Sequence, residues 1–135
     1  MRGIFSGTDE KENGLTGIDG VYIPVSNRKQ SEAWYVEHFG LEHGGDYLLV
    51  GRQEVFLRER LDQQVLTFRT DQWLENGESY EMPVVCFKTS DIVGLYEYAR
   101  SNGIRVSELL EHNWFREFDF YDPDGNKLKV WQPNE

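Results

Sequence analysis

The sequence repeats one order of predicted elements, and this repeat restricts the fold more than any other feature. The segments 26–40 and 90–103 each hold a capping residue, a helical stretch and a terminal glycine, and their lengths differ by a single residue. A strand is predicted before each of them, over residues 21–25 and 84–89. The second helix shows an apolar stripe at helical spacing, formed by Ile92, Leu95, Tyr96 and Ala99. Two modules of about 45 to 50 residues each are therefore expected.

Further strands are predicted after each helix. Residues 46–50 and 53–60 form the first such pair, and residues 115–121 and 127–131 form the second. The second pair is joined by the sequence Asp-Pro-Asp-Gly-Asn at positions 122–126, in which proline and glycine favour a tight turn. The connecting stretch between the modules holds a strand-like piece at 65–68 and a predicted turn at 75–78.

The chain resembles the glyoxalase / bleomycin resistance / extradiol dioxygenase superfamily, which has the vicinal oxygen chelate fold. The resemblance covers about residues 17 to 132. It rests on the module repeat and on three pieces of sequence: Gly-Ile-Asp-Gly-Val-Tyr-Ile-Pro-Val-Ser at 17–26, Trp34-Tyr35 with Phe39-Gly40-Leu41, and the turn at 122–126. The resemblance implies an α+β fold of two βαβββ modules, which form a cupped mixed β-sheet with two outer helices.

The domain boundaries follow from the same pattern. Residues 1–16 are polar and are expected to form an N-terminal tail. Residues 17–135 are expected to form a single glyoxalase/bleomycin-resistance-like domain, because the chain is of one-domain size. Module one spans about 17–62, a linker spans about 63–81, and module two spans about 82–132.

Composition restricts the partners and the compartment. The net charge is −10, with 24 acidic and 14 basic residues, which argues against nucleic acid and against anionic membrane surfaces. Cys86 is the only cysteine, so no intrachain disulfide can form. The first residues lack the apolar core of a signal peptide, and no stretch of 18 apolar residues occurs. These features favour the cytoplasm.

The metal chemistry of the resembled superfamily is not expected here. Its metal enzymes place one ligand in the first strand and one in the last strand of each module. Matching the motifs brings these places to Gly20, Phe56, Val84 and Lys129. None of these residues is a suitable ligand for a divalent ion, and no other cofactor motif is present. A shifted register would offer Asp19 or Glu54, but no histidine.

Strand alternation predicts a face of mixed aromatic and charged residues inside the cup. Such a face suits a small-molecule pocket. Arg58 and Lys129 are candidates for holding an anionic or aromatic compound. An alternative is that Lys129 pairs across the hairpin with Asp119, which explains the lysine without any ligand. The candidate ligand-binding residues are Tyr22, Phe56, Arg58, Tyr121, Lys129 and Trp131.

Other reactive residues give weaker indications. His38, His43 and His112 show no metal-ligand spacing, and structural or surface roles are expected for them. His112 is notable because it lies in a predicted loop. Cys86 lies on the cup face with Lys88 two residues away, but a lone cysteine in a strand is commonly an apolar filler.

The function predicted from these observations is binding of a small organic molecule without metal. The resemblance is to the drug-sequestering branch of the superfamily, and it implies a homodimer. An alternative is a lyase or dioxygenase-like enzyme of the same superfamily with a displaced or metal-free active site. A regulatory or protein-interaction role is a third possibility. Neither the ligand nor any catalytic residue is identified by the sequence.

Overall fold

The computed structural model describes residues 13–72 and 77–134. Within these residues the chain forms two helices and ten strands. In chain order they are β1 (Gly20–Val25), α1 (Arg28–Phe39), β2 (Glu42–His43), β3 (Leu48–Val50), β4 (Gln53–Glu59), β5 (Thr67–Thr70), β6 (Tyr80–Pro83), β7 (Cys86–Lys88), α2 (Ile92–Ser101), β8 (Leu110–Glu111), β9 (Phe115–Tyr121) and β10 (Lys127–Pro133). The turn predicted at 75–78 lies partly outside the described residues.

The two modules have the same sheet topology, as the repeat predicted. The first sheet has the order β1-β4-β3-β2, and the second has the order β7-β10-β9-β8. In each sheet the first strand pairs in parallel with the last strand of its module. This is the α+β arrangement of two βαβββ modules that the family resemblance implied, and it includes the short strands β2 and β8, which the residue patterns did not predict.

Local capping explains where the helices begin and end. The Asn27 side chain accepts a hydrogen bond from the Gln30 amide at 3.0 Å, and Asp91 accepts one from Gly94 at 3.1 Å. Helix α1 ends at Gly40, whose φ of 73° lies in the left-handed region that glycine adopts without strain. The predicted bounds of α1 agree with the structure because all of these signals are local.

The core is formed by alternating strand residues from both sheets together with residues of the helices. Strand β4 contributes Val55 and Leu57, and strands β9 and β10 contribute residues such as Phe118, Phe120 and Val130. Tyr35 of α1 is fully buried in the same cluster. Its ring packs against Phe120 of the second sheet with a centroid distance of 6.4 Å. The two modules therefore share one hydrophobic core.

The segment between the modules contains more structure than the sequence predicted. Strands β5 and β6 pair antiparallel, from Thr67 with Pro83 to Thr70 with Tyr80. The sequence indicated only the piece at 65–68, and it placed the start of the next strand at residue 84. In the structure β6 ends at Pro83 and β7 begins at Cys86.

No helix among the described residues is long and apolar enough to cross a membrane.

Candidate functional site

A cavity of about 510 Å³ lies on the second sheet, beneath strand β6. Its walls come from the sheet strands β8, β9 and β10, from the loop after β8, and from β6 of the intervening hairpin. We call it the second-module cavity. The residues that line it are Tyr80, Met82, Leu110, His112, Phe115, Glu117, Asp119 and Lys129.

Strand alternation directs the polar side chains into this cavity. Glu117 and Asp119 alternate with Phe118 and Phe120, which are buried in the core on the opposite face. On the neighbouring strand, Lys129 lies between Leu128 and Val130, both of which are buried. The apolar residues thus hold the sheet in place, and the intervening charged residues are presented to the cavity.

Three charged side chains form a close cluster on the cavity floor. The Lys129 ammonium lies 2.6 Å from Glu117 Oε1 and 3.0 Å from Asp119 Oδ1. The second carboxylate oxygen of Glu117 lies 2.8 Å from His112 Nε2. The side chains of Lys129 and Glu117 are each 17% exposed, and that of Asp119 is 14% exposed. The predicted pairing of Lys129 with Asp119 is present, and Glu117 is an additional partner.

The cluster keeps its members charged despite partial burial. Burial opposes ionisation of Glu117, but hydrogen bonds and charges from Lys129 and His112 outweigh it, and the pKa of this carboxyl is lowered. Burial likewise opposes the charge on Lys129, but Glu117 and Asp119 outweigh it and raise the pKa of the ammonium. Near neutral pH the cavity therefore presents the Glu117 carboxylate and the Lys129 ammonium in ionised form.

Aromatic rings form the apolar part of the cavity wall. The His112 ring stacks on Phe115 with a centroid distance of 4.6 Å. Phe115 also contacts Trp131, at 5.7 Å between centroids. Two hydrogen bonds hold the loop that carries His112 in place. The His112 amide donates to the Phe115 carbonyl, and the Asn134 side-chain amide donates to the His112 carbonyl. The wall is built on hydrogen-bonded strands and loops.

Three of the sequence-predicted site residues lie on the first sheet instead. Tyr22 stacks on Phe56 with a centroid distance of 5.2 Å, and the Arg58 guanidinium lies 5.0 Å from the centre of the same ring. Arg58 also forms an ion pair with Asp46 at 3.5 Å. Tyr22 is 65% exposed. Tyr47 also packs against Phe56. We call the group formed by Tyr22, Asp46, Tyr47, Phe56 and Arg58 the first-module surface.

The remaining predicted residues do not all join one site. Lys129 lies in the second-module cavity, and Trp131 supports its wall through Phe115. Tyr121 lies outside the cavity, with the Arg105 guanidinium 3.9 Å from its ring centre. The structure thus divides the six residues between two sheets. Strand alternation indicated which face each residue occupies, but it could not indicate which residues share a cavity.

Several cavity residues were not selected from the sequence. Tyr80 lies at the end of the stretch described from the sequence as a linker, and Met82 lies just after it; both belong to strand β6. Strand alternation puts Glu117 on the same face as Asp119, but its bond to His112 depends on the course of the loop between β8 and β9. The sequence signal for this pair was the occurrence of His112 in a predicted loop.

The places of the superfamily's metal ligands do not fit a divalent ion. A side chain on Gly20 would meet the Phe56 ring, because a Cβ there would lie 2.7 Å from Phe56 Cε2. The ligand place in the last strand of module two is taken by Lys129, whose ammonium is held by two carboxylates. Among the described residues, no three His, Cys, Asp or Glu side chains are grouped so that they could hold a metal ion.

Cys86 is not activated as a nucleophile. It pairs with Lys129 across the parallel strands, and it is this lysine rather than Lys88 that acts on the thiol. Burial raises the pKa of the thiol; Lys129 lowers it, and Glu117 and Asp119 raise it further, so that the net shift is upward. A raised pKa leaves the thiol protonated near neutral pH.

A second cavity of about 490 Å³ lies where the first strands of the two modules face each other. Its walls are mainly aliphatic and include Val21 and Val85, with Tyr22 at its edge. It contains none of the ionised side chains found in the second-module cavity. It is therefore a less specific site for a polar ligand.

Comparisons with known proteins agree with this architecture. The family model described as the Glyoxalase/Bleomycin resistance protein/Dioxygenase superfamily matches residues 17–130. A comparison with curated proteins found no match.

Similar solved structures have the same fold. TnmS3, an antibiotic binding protein from Streptomyces sp. CB03234, is 19% identical with a TM-score of 0.66, covering 89% of this chain and 98% of that one. The fosfomycin resistance protein FosX from Listeria monocytogenes is 13% identical with a TM-score of 0.67, covering 88% and 94%. An integron cassette protein from the mobile metagenome of the Halifax Harbour sewage outfall is 24% identical with a TM-score of 0.63, covering 87% and 99%.

Proposed function

Because the chain belongs to the glyoxalase/bleomycin resistance protein/dioxygenase superfamily, we propose that it binds a small organic molecule in the second-module cavity without the help of a metal ion. The observation that carries the proposal is the composition of this cavity. Aromatic and aliphatic side chains form most of its wall, and a compact set of ionised groups lies on its floor. Small-molecule sites generally combine an apolar wall with a few placed polar groups.

The similar structures support a binding role. TnmS3 is described as an antibiotic binding protein and FosX as a fosfomycin resistance protein, so at least one protein with this fold binds a small organic molecule. The cavity volume of about 510 Å³ is within the range of roughly 300–1,000 Å³ that is usual for ligand pockets. An apolar compound of moderate size with polar substituents would match both the apolar wall and the charged floor of the cavity.

A test of binding uses a substitution that fills the cavity. Leu110 lines the cavity at its edge and is 44% exposed, so Leu110→Trp would occupy part of the volume with little strain. Leu61→Trp is the matched control, because Leu61 is fully exposed and does not line the cavity. Compounds found in a thermal-shift screen should bind Leu110→Trp at least about tenfold more weakly than wild type, and they should bind Leu61→Trp as tightly as wild type. Unchanged affinity in both variants would contradict the proposed location.

Metal independence is the second part of the proposal. It is supported by Gly20, which is crowded by Phe56, and by Lys129, whose ammonium excludes a cation from its place. Elemental analysis of purified protein should find no stoichiometric zinc, nickel, iron or manganese. About one ion per chain, lost on substitution of cavity residues, would overturn this part.

An enzymatic role is the alternative, and one observation favours it. The His112 imidazole is hydrogen-bonded to the Glu117 carboxylate at 2.8 Å, and such a pair can act as a general base. If the protein is an enzyme, a compound that binds should be converted during incubation, and His112→Gln should abolish the conversion while binding persists. Mass spectrometry of the recovered compound detects whether it has been converted.

The proposal includes a homodimer in the cytoplasm. The cavity between the first strands leaves Tyr22 and Val84 exposed, and exposed apolar surface of this kind is commonly covered by a second subunit. The single cysteine is compatible with a reducing compartment. Analytical ultracentrifugation should give twice the chain mass at micromolar concentration, and a concentration-independent monomer would contradict the dimer.

A further inference from the structure

We propose that the second-module cavity selects an aromatic compound that carries a protonated amine, rather than an anionic one. This inference rests on the proposed function and specifies the chemistry of the ligand. It differs from the sequence-based hypothesis in which Arg58 and Lys129 hold an anionic or aromatic compound. The argument depends on the charges that line the cavity, on the atoms that remain free to accept hydrogen bonds, and on the nature of the wall.

The charged groups of the cavity are dominated by carboxylates. Among the described lining residues, Glu117 and Asp119 are the acidic side chains and Lys129 is the only lysine or arginine. His112 pairs with Glu117, and Lys127 approaches Asp119 from outside the lining. The lysines at this cluster are thus each already paired with a carboxylate of the cavity floor. The whole chain, at −10, adds to a potential that repels anions.

Lys129 is not available to an anion. Its ammonium is held at 2.6 Å by Glu117 and at 3.0 Å by Asp119, so an anionic ligand would have to displace one of these carboxylates. Lys127 is also occupied, because its ammonium donates to the Glu81 carbonyl at 3.0 Å and forms a longer ion pair with Asp119 Oδ2 at 3.8 Å. An anion entering the cavity would meet two carboxylates without an unpaired cation.

Asp119 retains an oxygen that can accept a hydrogen bond. Its Oδ1 accepts from Lys129. Its Oδ2 lies 3.8 Å from the Lys127 ammonium, which is beyond hydrogen-bonding distance, and no described residue donates to this atom. A carboxylate oxygen can accept two hydrogen bonds. A ligand ammonium placed beside Asp119 would therefore gain a charge-assisted hydrogen bond without breaking one.

The wall is suited to an aromatic ring and to a cation beside it. Phe115 and Tyr80 line the cavity, and the His112 ring extends the aromatic surface of Phe115. Aromatic faces attract cations as well as other rings. The same wall offers no comparable stabilisation to an anion.

The test uses three probes that share one ring system and differ in charge. These are 1-naphthylmethylamine, 1-naphthalenemethanol and 1-naphthoate, which at about pH 7 are cationic, neutral and anionic. Dissociation constants measured by isothermal titration or ligand-observed NMR should rank the amine tightest, the alcohol about tenfold weaker and the carboxylate weakest. Asp119→Asn should weaken the amine by about tenfold and leave the alcohol unchanged.

Asp46→Asn is the matched control, because Asp46 is an exposed carboxylate on the first-module surface and should not affect the amine. If the carboxylate probe binds as tightly as the amine or tighter, this inference is overturned while the proposed function stands. If none of the three binds in the millimolar range, this inference is overturned, while the proposed function is decided separately by the thermal-shift screen with Leu110→Trp. The ranking uses the unmodified protein, so it decides the matter even if Asp119→Asn does not fold.

Discussion

At the scale of single residues, the structure supports the alternative in which Lys129 pairs with Asp119, and it adds Glu117 as a second partner. From the sequence alone, Lys129 and Arg58 were expected to matter more for ligand binding than for folding. In the structure the Lys129 side chain is 17% exposed and bridges two carboxylates, whereas Arg58 is 44% exposed and pairs with Asp46 at 3.5 Å. Removing one member of a partly buried pair leaves its partners as uncompensated charges, and this costs more than breaking an exposed pair. The two cations are therefore expected to differ in their effect on folding.

We expect Lys129→Met to lower the free energy of unfolding by about 2 kcal/mol, because it leaves Glu117 and Asp119 without their shared donor. Arg58→Met is the matched control and should cost less than about 1 kcal/mol. Urea unfolding at neutral pH measures both. Equal losses in the two variants would show that the cluster does not stabilise the fold.

The cost of Lys129→Met should also depend on pH. The pKa of Glu117 is lowered, so its ion pair contributes stability above the usual glutamate range and loses it as the pH falls through the lowered pKa. Lys129 remains charged throughout this range because its pKa is raised. The difference between wild type and variant should therefore shrink between about pH 7 and about pH 3. A difference that is constant over this range would contradict the assignment.

At the scale of elements, the turn between β9 and β10 of module two forms hydrogen bonds with residues of module one and of the linker. Asn126 is fully buried: its side chain donates to the Pro24 carbonyl at 2.7 Å and accepts from the Leu66 amide at 2.9 Å. Asp122 accepts from the Tyr35 hydroxyl at 2.7 Å. Burial raises the pKa of Asp122, although four hydrogen-bond donors, including two from Asn126, partly offset this. The turn that identified the hairpin is thus also a contact between module one, the linker and module two.

Asn126→Ala should lower the free energy of unfolding by about 3 kcal/mol. The reason is that the Pro24 carbonyl and the Leu66 amide would each lose a hydrogen-bond partner in a buried setting. Asn102→Ala removes a comparable bond from side chain to backbone at the exposed end of α2, and it should cost less than about 1 kcal/mol. Chemical denaturation compares the two, and similar costs would argue against a connecting role for the turn.

At the scale of the whole molecule, the shared core and the turn contacts couple the modules. Phe39 of α1 stacks on Phe120 of β9 with a centroid distance of 4.2 Å, so the helix of one module packs on the sheet of the other. The Arg60 guanidinium of module one also pairs with Asp124 of the turn at 3.5 Å. Neither module could be separated without exposing apolar surface.

We therefore expect both modules to unfold in one cooperative transition. Native-state hydrogen exchange should give the same opening free energy for Val55 in β4 and for Leu128 in β10, both of which are fully buried. Asn126→Ala should reduce both values by the same amount. A lower value for one module alone would show that the modules open independently.

The sequence by itself determined the elements whose signals are local. Asn27, Gly40 and Asp91 set the helix ends, and alternation along β9 and β10 indicated the buried and the cup-facing residues, because capping and side-chain alternation depend on neighbours within a few residues. These signals, combined with the motif resemblance, were sufficient to predict the fold.

Only the tertiary structure decided which of these residues form a site. The hairpin of β5 and β6 covers the second sheet, Glu117 meets both Lys129 and His112, and Tyr22 and Phe56 lie on another sheet. Each of these contacts depends on where separate segments come to lie on a common core. That placement results from the packing of both modules together, which no local pattern in the chain encodes.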